Sequence, residues 1–236
     1  CDVLSREFYH WAAVSEHVID ITTISSDKHE KPEEMHEILQ AAIEQVEAAE
    51  TRYDYLLIGF GLCGKVLDGL RSGKTPIVIP RAHDCIKLFL GQGNNHDTLL
   101  QNSTGIMFYI GAWLERNGIK KERKELESIG LGKSYDEYAA KFGHDNAAYL
   151  IKVADEWRNR YKQAVYIVNQ LTPQDFSREI QQVAIERDWN YRAVPGDSAL
   201  IEKMVCGNWT EEDFLIVKPW SLIQQCYDKR VVIALP

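Results

Sequence analysis

Residues 75–91 read TPIVIPRAHDCIKLFLG. The apolar run IVI stops at Pro80, Arg81, His83, Asp84 and Cys85 follow, and an apolar IKLFL segment resumes. A run this apolar suits a strand covered on both faces, as in a parallel sheet. The cation, imidazole, carboxylate and thiol then stand at its carboxyl end. Upstream, residues 55–64 read YLLIGFGLCG, another short apolar run that ends in glycines around Cys63. In open parallel α/β sheets ligands bind outside the carboxyl ends of strands, where neighbouring loops converge. If the two strands are neighbours, Cys63 and Cys85 face one crevice.

The rest of the chain keeps this rhythm. Val18–Ile24 alternates β-branched residues and reads as a strand. Lys31-Pro32 opens a helix through Glu33–Glu50, with proline and acids in its first turn. Met35, Ile38, Leu39, Ala42, Ile43 and Val46 form its apolar face. Ile106–Ile110 reads as a strand. A long helical stretch from Trp113 to Tyr161 follows, broken at Gly130 and Gly132, with a new helix near His144. Strands at Ala164–Val168, Tyr191–Val194 and Phe214–Val217 then alternate with helices at Pro173–Asp188 and Ser198–Met204. Such alternation gives an α/β fold, a mainly parallel sheet flanked by helices, with a helical middle segment. The stretches are 1–112, an N-terminal lobe with the Cys-rich site; 113–161, helical; and 162–236, a C-terminal lobe. The two lobes are either similar units or parts of one domain. The terminal run RVVIALP reads as a strand, expected beside the start of the chain.

Composition sets limits. The 236 residues carry a formal charge of −8, which does not invite nucleic acid or anionic lipid. The basic run at Lys120–Lys124 is broken by a glutamate and reads as a solvated helix face. No apolar stretch reaches the ~18 residues of a membrane span, and no signal-like start is seen. A cytoplasmic location is expected. There are five cysteines, and an odd number in a reducing compartment argues against a disulfide framework. Burial, reactivity or metal binding must account for them.

Three thiols from three tips (Cys1, Cys63 and Cys85), with His83, make a candidate soft-cation site. Zinc takes thiolate and imidazole, and its catalytic sites commonly leave one position open. Three cysteines also suit a [4Fe-4S] cluster with one open iron. Each residue has a plainer reading. A cysteine is commonly a small buried hydrophobe, which suits Cys206 and Cys226 best. Asp84 suits a helix N-cap, or a partner that orients His83. His83 could cap a helix or bond a carbonyl. Arg81 could pair with a structural carboxylate or clamp an anion. Gly59, Gly61 and Gly64 give G-x-G-x-x-G, with Gly61 and Gly64 candidate cofactor contacts, and Lys65–Leu67 could open a helix after them. The acidic partner of a dinucleotide fingerprint is not clear, so that signal is weak. His10, His17 and His36 read as surface or boundary residues, and His29, His96 and His144 as loop residues.

CDVL at the start, YLLIGFGLCG, PIVIPRAHDCIKLFLG and YAAKFGHDNAAYL together resemble the domain of unknown function 1638 family over nearly the whole chain. Family members commonly carry an apolar strand before the first cysteine, which is missing here. The glycine loop is usually followed by a small or amide residue and glycine, where this chain has Lys65-Val66. The resemblance implies a role beside corrinoid proteins and their methyltransferases. The expected protein is then a zinc site built from Cys1, Cys63, Cys85 and His83. Arg81 would hold an anionic or thiol substrate, and His83 and Asp84 would assist. A corrinoid would act through a partner protein. Three rivals remain. A [4Fe-4S] enzyme would be brown. A non-enzymatic accessory module would hold a corrinoid protein or a metal and turn nothing over. A metal-free Cys85 nucleophile with His83 as base would lose all activity on alkylation.

Overall fold

The computed structural model describes residues 1–29, 31–91, 99, 105–118 and 134–236. The basic run at Lys120–Lys124, the glycines at 130 and 132, and His96 lie outside the described residues. The chain forms two compact units, one of Cys1–Gly93 with Gly196–Pro236 and one of Asn94–Pro195.

The first unit opens with a 3-10 turn, Asp2–Leu4, that runs into helix α1 (Ser5–Val14). Helix α2 (Pro32–Ala48) follows, with Pro32 at its start and Glu33 and Glu34 in its first turn. Those acids oppose the positive end of the helix dipole. Met35, Leu39 and Ile43 repeat every four residues and are buried, so one stripe of the helix faces the core. Strand β1 (Leu56–Leu57) lies parallel to β2 (Ile77–Pro80). All four residues of β2 are buried, as a central strand demands.

Helix α3 (Cys85–Leu90) leaves the tip of β2. Asp84 caps it by accepting from the Lys87 amide, and Gly91 at φ 71° ends it. The second unit interrupts the chain here. After it, helix α8 (Ala199–Val205) leads to β6 (Phe214–Val217), which pairs antiparallel with β2. The last two strands, β7 (Leu222–Gln225) and β8 (Val232–Leu235), form an antiparallel hairpin. Leu39, Leu67, Ile77, Ile79, Val217 and Ile223 are among the residues of this unit's core.

The second unit is more regular. Strands β3 (Ile106–Ile110), β4 (Gln163–Val168) and β5 (Asn190–Pro195) form one parallel sheet in that order. Helix α4 (Gly111–Asn117) continues from β3 without a loop. Helix α5 (Tyr135–Phe142) starts with a capping box of Ser134 and Glu137, and α6 (His144–Arg160) follows. Helix α7 (Ser177–Glu186) buries Ile180 and Ala184 against a core with Tyr109 and Tyr166. The fold is α/β with mainly parallel strand pairing and a helical segment between β3 and β4.

Several elements differ from the sequence reading. Val18–Ile24 lies in no strand, and Val18 is 98% exposed. Its β-branched alternation fits a pleat but finds no ladder. The helix expected from Pro173 starts at Ser177, because the Asp175 carboxylate first takes the Ser177 amide in a local turn. Residues 63–69 form turns where a helix was expected after the glycines. The C-terminal strand pairs with β7, not with the start of the chain, because the turn at 226–231 folds it straight back. Ile106–Ile110, read as part of the N-terminal lobe, pairs with β4 in the second unit.

Candidate functional site

The first unit's site begins where β1 and β2 end. The two chains keep running side by side beyond the short ladder. The Leu62 amide donates to the Ala82 carbonyl at 2.9 Å, and the Cys63 amide donates to the His83 carbonyl at 3.0 Å. This pairing puts the GLCG loop against the RAHDC loop. Gly61 is required by that approach. A Cβ there would lie 2.6 to 2.8 Å from the Asp84 backbone, a contact neither loop could yield.

Cys63 then turns into the left-handed region at φ 39°, followed by Gly64 at 72° and Lys65 at 77°. Only glycine adopts that region without steric cost, so Cys63 and Lys65 store strain. Such strain persists only when the surroundings enforce it. Cys85 is the first residue of α3. The backbone N–H groups of Cys85 and Gly61 lie near the Cys63 sulfur and favour its ionised form, and the two half-buried sulfurs are close enough to act on each other electrostatically.

Their electrostatics agree. Burial, and then the Asp84 charge, pushes the Cys63 thiol up to about 11. Burial pushes the Cys85 thiol further up, and the Cys63 sulfur adds to the effect. Each thiol is held neutral at physiological pH, because a second negative charge beside the first in a half-buried site is costly. Cys1 is the third neighbour. Its backbone nitrogen donates to the Gly59 carbonyl at 3.1 Å and feels both sulfurs. Its side chain packs on the core of the unit.

The other candidates stand apart. His83 is exposed, and only its carbonyl reaches the loop. The Asp84 carboxylate caps α3. Among the described residues, Arg81 meets no carboxylate in its hydrogen bonds. Its guanidinium donates to the carbonyls of Glu211 at 2.8 Å, Arg230 at 2.6 Å and Val232 at 2.6 Å, which fastens the β7–β8 hairpin to the tip of β2. Gly61 and Gly64 shape the loop. With turns after it, the glycine loop lacks the helix N-terminus that a dinucleotide pyrophosphate would use. Cys206 ends α8, and Cys226 follows β7 and accepts from Arg230 at 3.5 Å.

Among the described residues, no group of three or more His, Cys, Asp or Glu side chains is arranged to hold a metal ion. The four expected ligands therefore form a sulfur pair with Cys1 alongside, not a finished cage. The pair still suits a soft cation by its chemistry: two thiols resist ionising, and a divalent charge would reverse that resistance.

The sequence reading missed the support under the loop. His36, Gln40 and Glu47 share one face of α2, because their spacings of four and seven are near whole turns. The His36 Nδ1 lies 3.0 Å from the Val66 carbonyl. The Gln40 amide oxygen accepts from the Arg71 amide at 2.9 Å. The Glu47 carboxylate accepts from the amides of Lys74 and Thr75, each at 3.0 Å. Burial alone would raise the Glu47 pKa, but those N–H bonds and the Lys74 charge hold it below its ordinary value. The spacing was the available signal, a polar stripe beside the apolar one.

No helix of the described residues is long and apolar enough to cross a membrane. No curated protein and no solved structure matches the chain. A family model described as "Protein of unknown function (DUF1638)" matches residues 23–205, a span that holds Cys63, Arg81, His83 and Cys85 and leaves Cys1 outside. On that match, the chain belongs to the DUF1638 family.

Proposed function

We propose that this protein is a thiolate-centre protein in which Cys63 and Cys85 are the fixed half of a soft-cation site, zinc in the first instance. Cys1 and His83 would complete the site by turning toward the cation. The observation that carries this reading is the pairing of the two loops beyond β1 and β2, which brings two half-buried thiols close enough to act on each other. A bound divalent cation would supply the positive charge that lets both thiols ionise at neutral pH. The close approach of Gly61 to the Asp84 backbone sets the Cys63 loop against the Cys85 loop, and Asp84 caps the first turn of α3, where Cys85 stands. The activity would be methyl transfer involving a thiol substrate, or an accessory step in it, with the corrinoid on a partner protein. That last part rests on the family resemblance alone.

Cobalt(II) titration of protein purified without oxygen tests the reading. An intense sulfur-to-cobalt absorption band that saturates at about one equivalent supports it, provided the band disappears in Cys63→Ser and Cys85→Ser. A brown protein with several irons would replace zinc by the cluster. A metal-binding protein that captures a corrinoid protein and turns over no methyl donor would be the accessory module.

A second reading is favoured by the missing third ligand. Cys63 and Cys85 would then act as thiols without metal, one as nucleophile and His83 as base from the exposed side. Absence of a cobalt band, together with loss of activity on alkylation of a single thiol, would select it.

A further inference from the structure

The left-handed turn that carries Cys63 is itself part of no helix or strand. Its supports come from two sides. On one side, the Gly69 amide donates to the Ile223 carbonyl at 2.8 Å, and the Gln225 amide donates to the Asp68 carboxylate at 2.7 Å. These tie the far end of the loop to β7. The near end, at Cys63–Val66, rests on α2. Pro32 in its first turn lies beside Gly64, where an added Cβ would meet the proline ring at 3.7 Å. One turn further on, His36 reaches the Val66 carbonyl at 3.0 Å. The Val66 amide already closes the turn by donating to the Leu62 carbonyl at 3.0 Å. A carbonyl can only accept, so the His36 Nδ1 carries the proton.

We infer that His36 is a positioning residue for the candidate site: its Nδ1–H bond to the Val66 carbonyl locks the strained Cys63–Lys65 turn, and with it the direction of the Cys63 sulfur. The inference rests on Cys63 belonging to the site. It needs neither a metal nor a particular substrate. Gln40 continues the same function one turn along α2, at Arg71, where the chain is also bridged to Leu222. His36 therefore acts nearest to the thiol, on the part of the loop that β7 does not reach. Without its bond the turn can relax out of the left-handed region. The Cys63 sulfur, half-buried in the wild type, then becomes more accessible to solvent.

The test is the alkylation rate of each cysteine in the full-length protein, read peptide by peptide with iodoacetamide and with chelator present throughout. His36→Ala is expected to speed alkylation of Cys63 about tenfold, the population change that one lost hydrogen bond gives. Cys206 and Cys226 should keep their rates. His36→Asn places an amide N–H where Nδ1–H stood and should restore the Cys63 rate to within about twofold. His36→Gln places its N–H near the Nε2 position and should behave like alanine. An unchanged Cys63 rate in His36→Ala would overturn the inference. So would equal acceleration of every cysteine, or failure of asparagine to rescue. Because chelator is present, an absent metal would defeat the cation reading and leave this result standing.

Discussion

The tips of β1 and β2 and the sheet of β3, β4 and β5 solve the same packing problem in opposite ways. The β3–β5 sheet pairs in unbroken register, five residues between β3 and β4 and six between β4 and β5. Its first strand passes into α4 without a loop. The ladder of β1 and β2 has two paired positions, and its loops then continue side by side through left-handed backbone. All five cysteines fall in the unit built on β1 and β2, at positions 1, 63, 85, 206 and 226, and the other unit has none. The regular sheet is fixed by its own ladder. The irregular one is fixed by side chains and by close backbone approach, and it is there that unlike chemical groups are gathered. Strain of this kind is kept where something is held in place.

That contrast can be broken or sharpened by substitution. The largest effect is expected in the centre of the irregular sheet. Ile79→Ala leaves a cavity beneath a side chain with no exposure and should cost about 4 kcal/mol in urea unfolding. Val168→Ala, at the 40% exposed end of β4, should cost less than about 1 kcal/mol. Equal losses would remove the distinction between a core strand and a strand end.

Gly61→Ala comes next. Its Cβ would strike the Asp84 backbone, so the loops must separate, at about 3 kcal/mol. Gly118→Ala in the regular unit has a φ of 66° and, among the described residues, nothing within 4 Å, so the left-handed penalty of about 1 kcal/mol applies. A Gly61 variant as stable as the Gly118 variant would contradict the close approach. Arg81→Ala leaves three carbonyls without their guanidinium partner and should cost about 2 kcal/mol. Hydrogen exchange should then quicken at the β7–β8 hairpin and not in β3–β5.

The smallest effect is on pH dependence. The Cys63 thiol is raised from 9.0 to about 11. Above pH 9 the unfolded chain loses this proton while the folded chain keeps it, so the contribution is full below pH 9 and fades toward pH 11. In protein stripped of metal, stability of the wild type should fall faster with pH over that window than stability of Cys63→Ala. Parallel curves would mean that Cys63 is not held in a dry place.

Strands of both units are legible in the sequence. The bounds of Ile106–Ile110 and Phe214–Val217 agree with the sequence reading to the residue, because a short apolar run bounded by glycines or by charged residues leaves little choice. Val18–Ile24 has the same local signal and no partner, and periodicity does not report a partner. The convergence of Cys63 with Cys85 followed from one assumption, that two apolar strands were neighbours, and β1 and β2 are. The role of Arg81 could not be read. Its three carbonyl partners lie 130 to 151 residues away in sequence, and nothing in the spacing of PRAHDC points to them. The fit of Gly61 against Asp84 was equally hidden, although the glycine itself was visible. His36 reads in the sequence only as a surface or boundary residue of an amphipathic segment, and nothing in its spacing points to its partner, the Val66 carbonyl.

The central claim is that Cys63 and Cys85 form one cation-binding thiol pair. Metal content of protein purified without oxygen tests it most directly, compared with the double variants Cys63→Ser/Cys85→Ser and Cys206→Ser/Cys226→Ser. The account predicts about one zinc per chain in the wild type and in the second variant, and none in the first. Metal retained in the first variant, or none in the wild type, would contradict it.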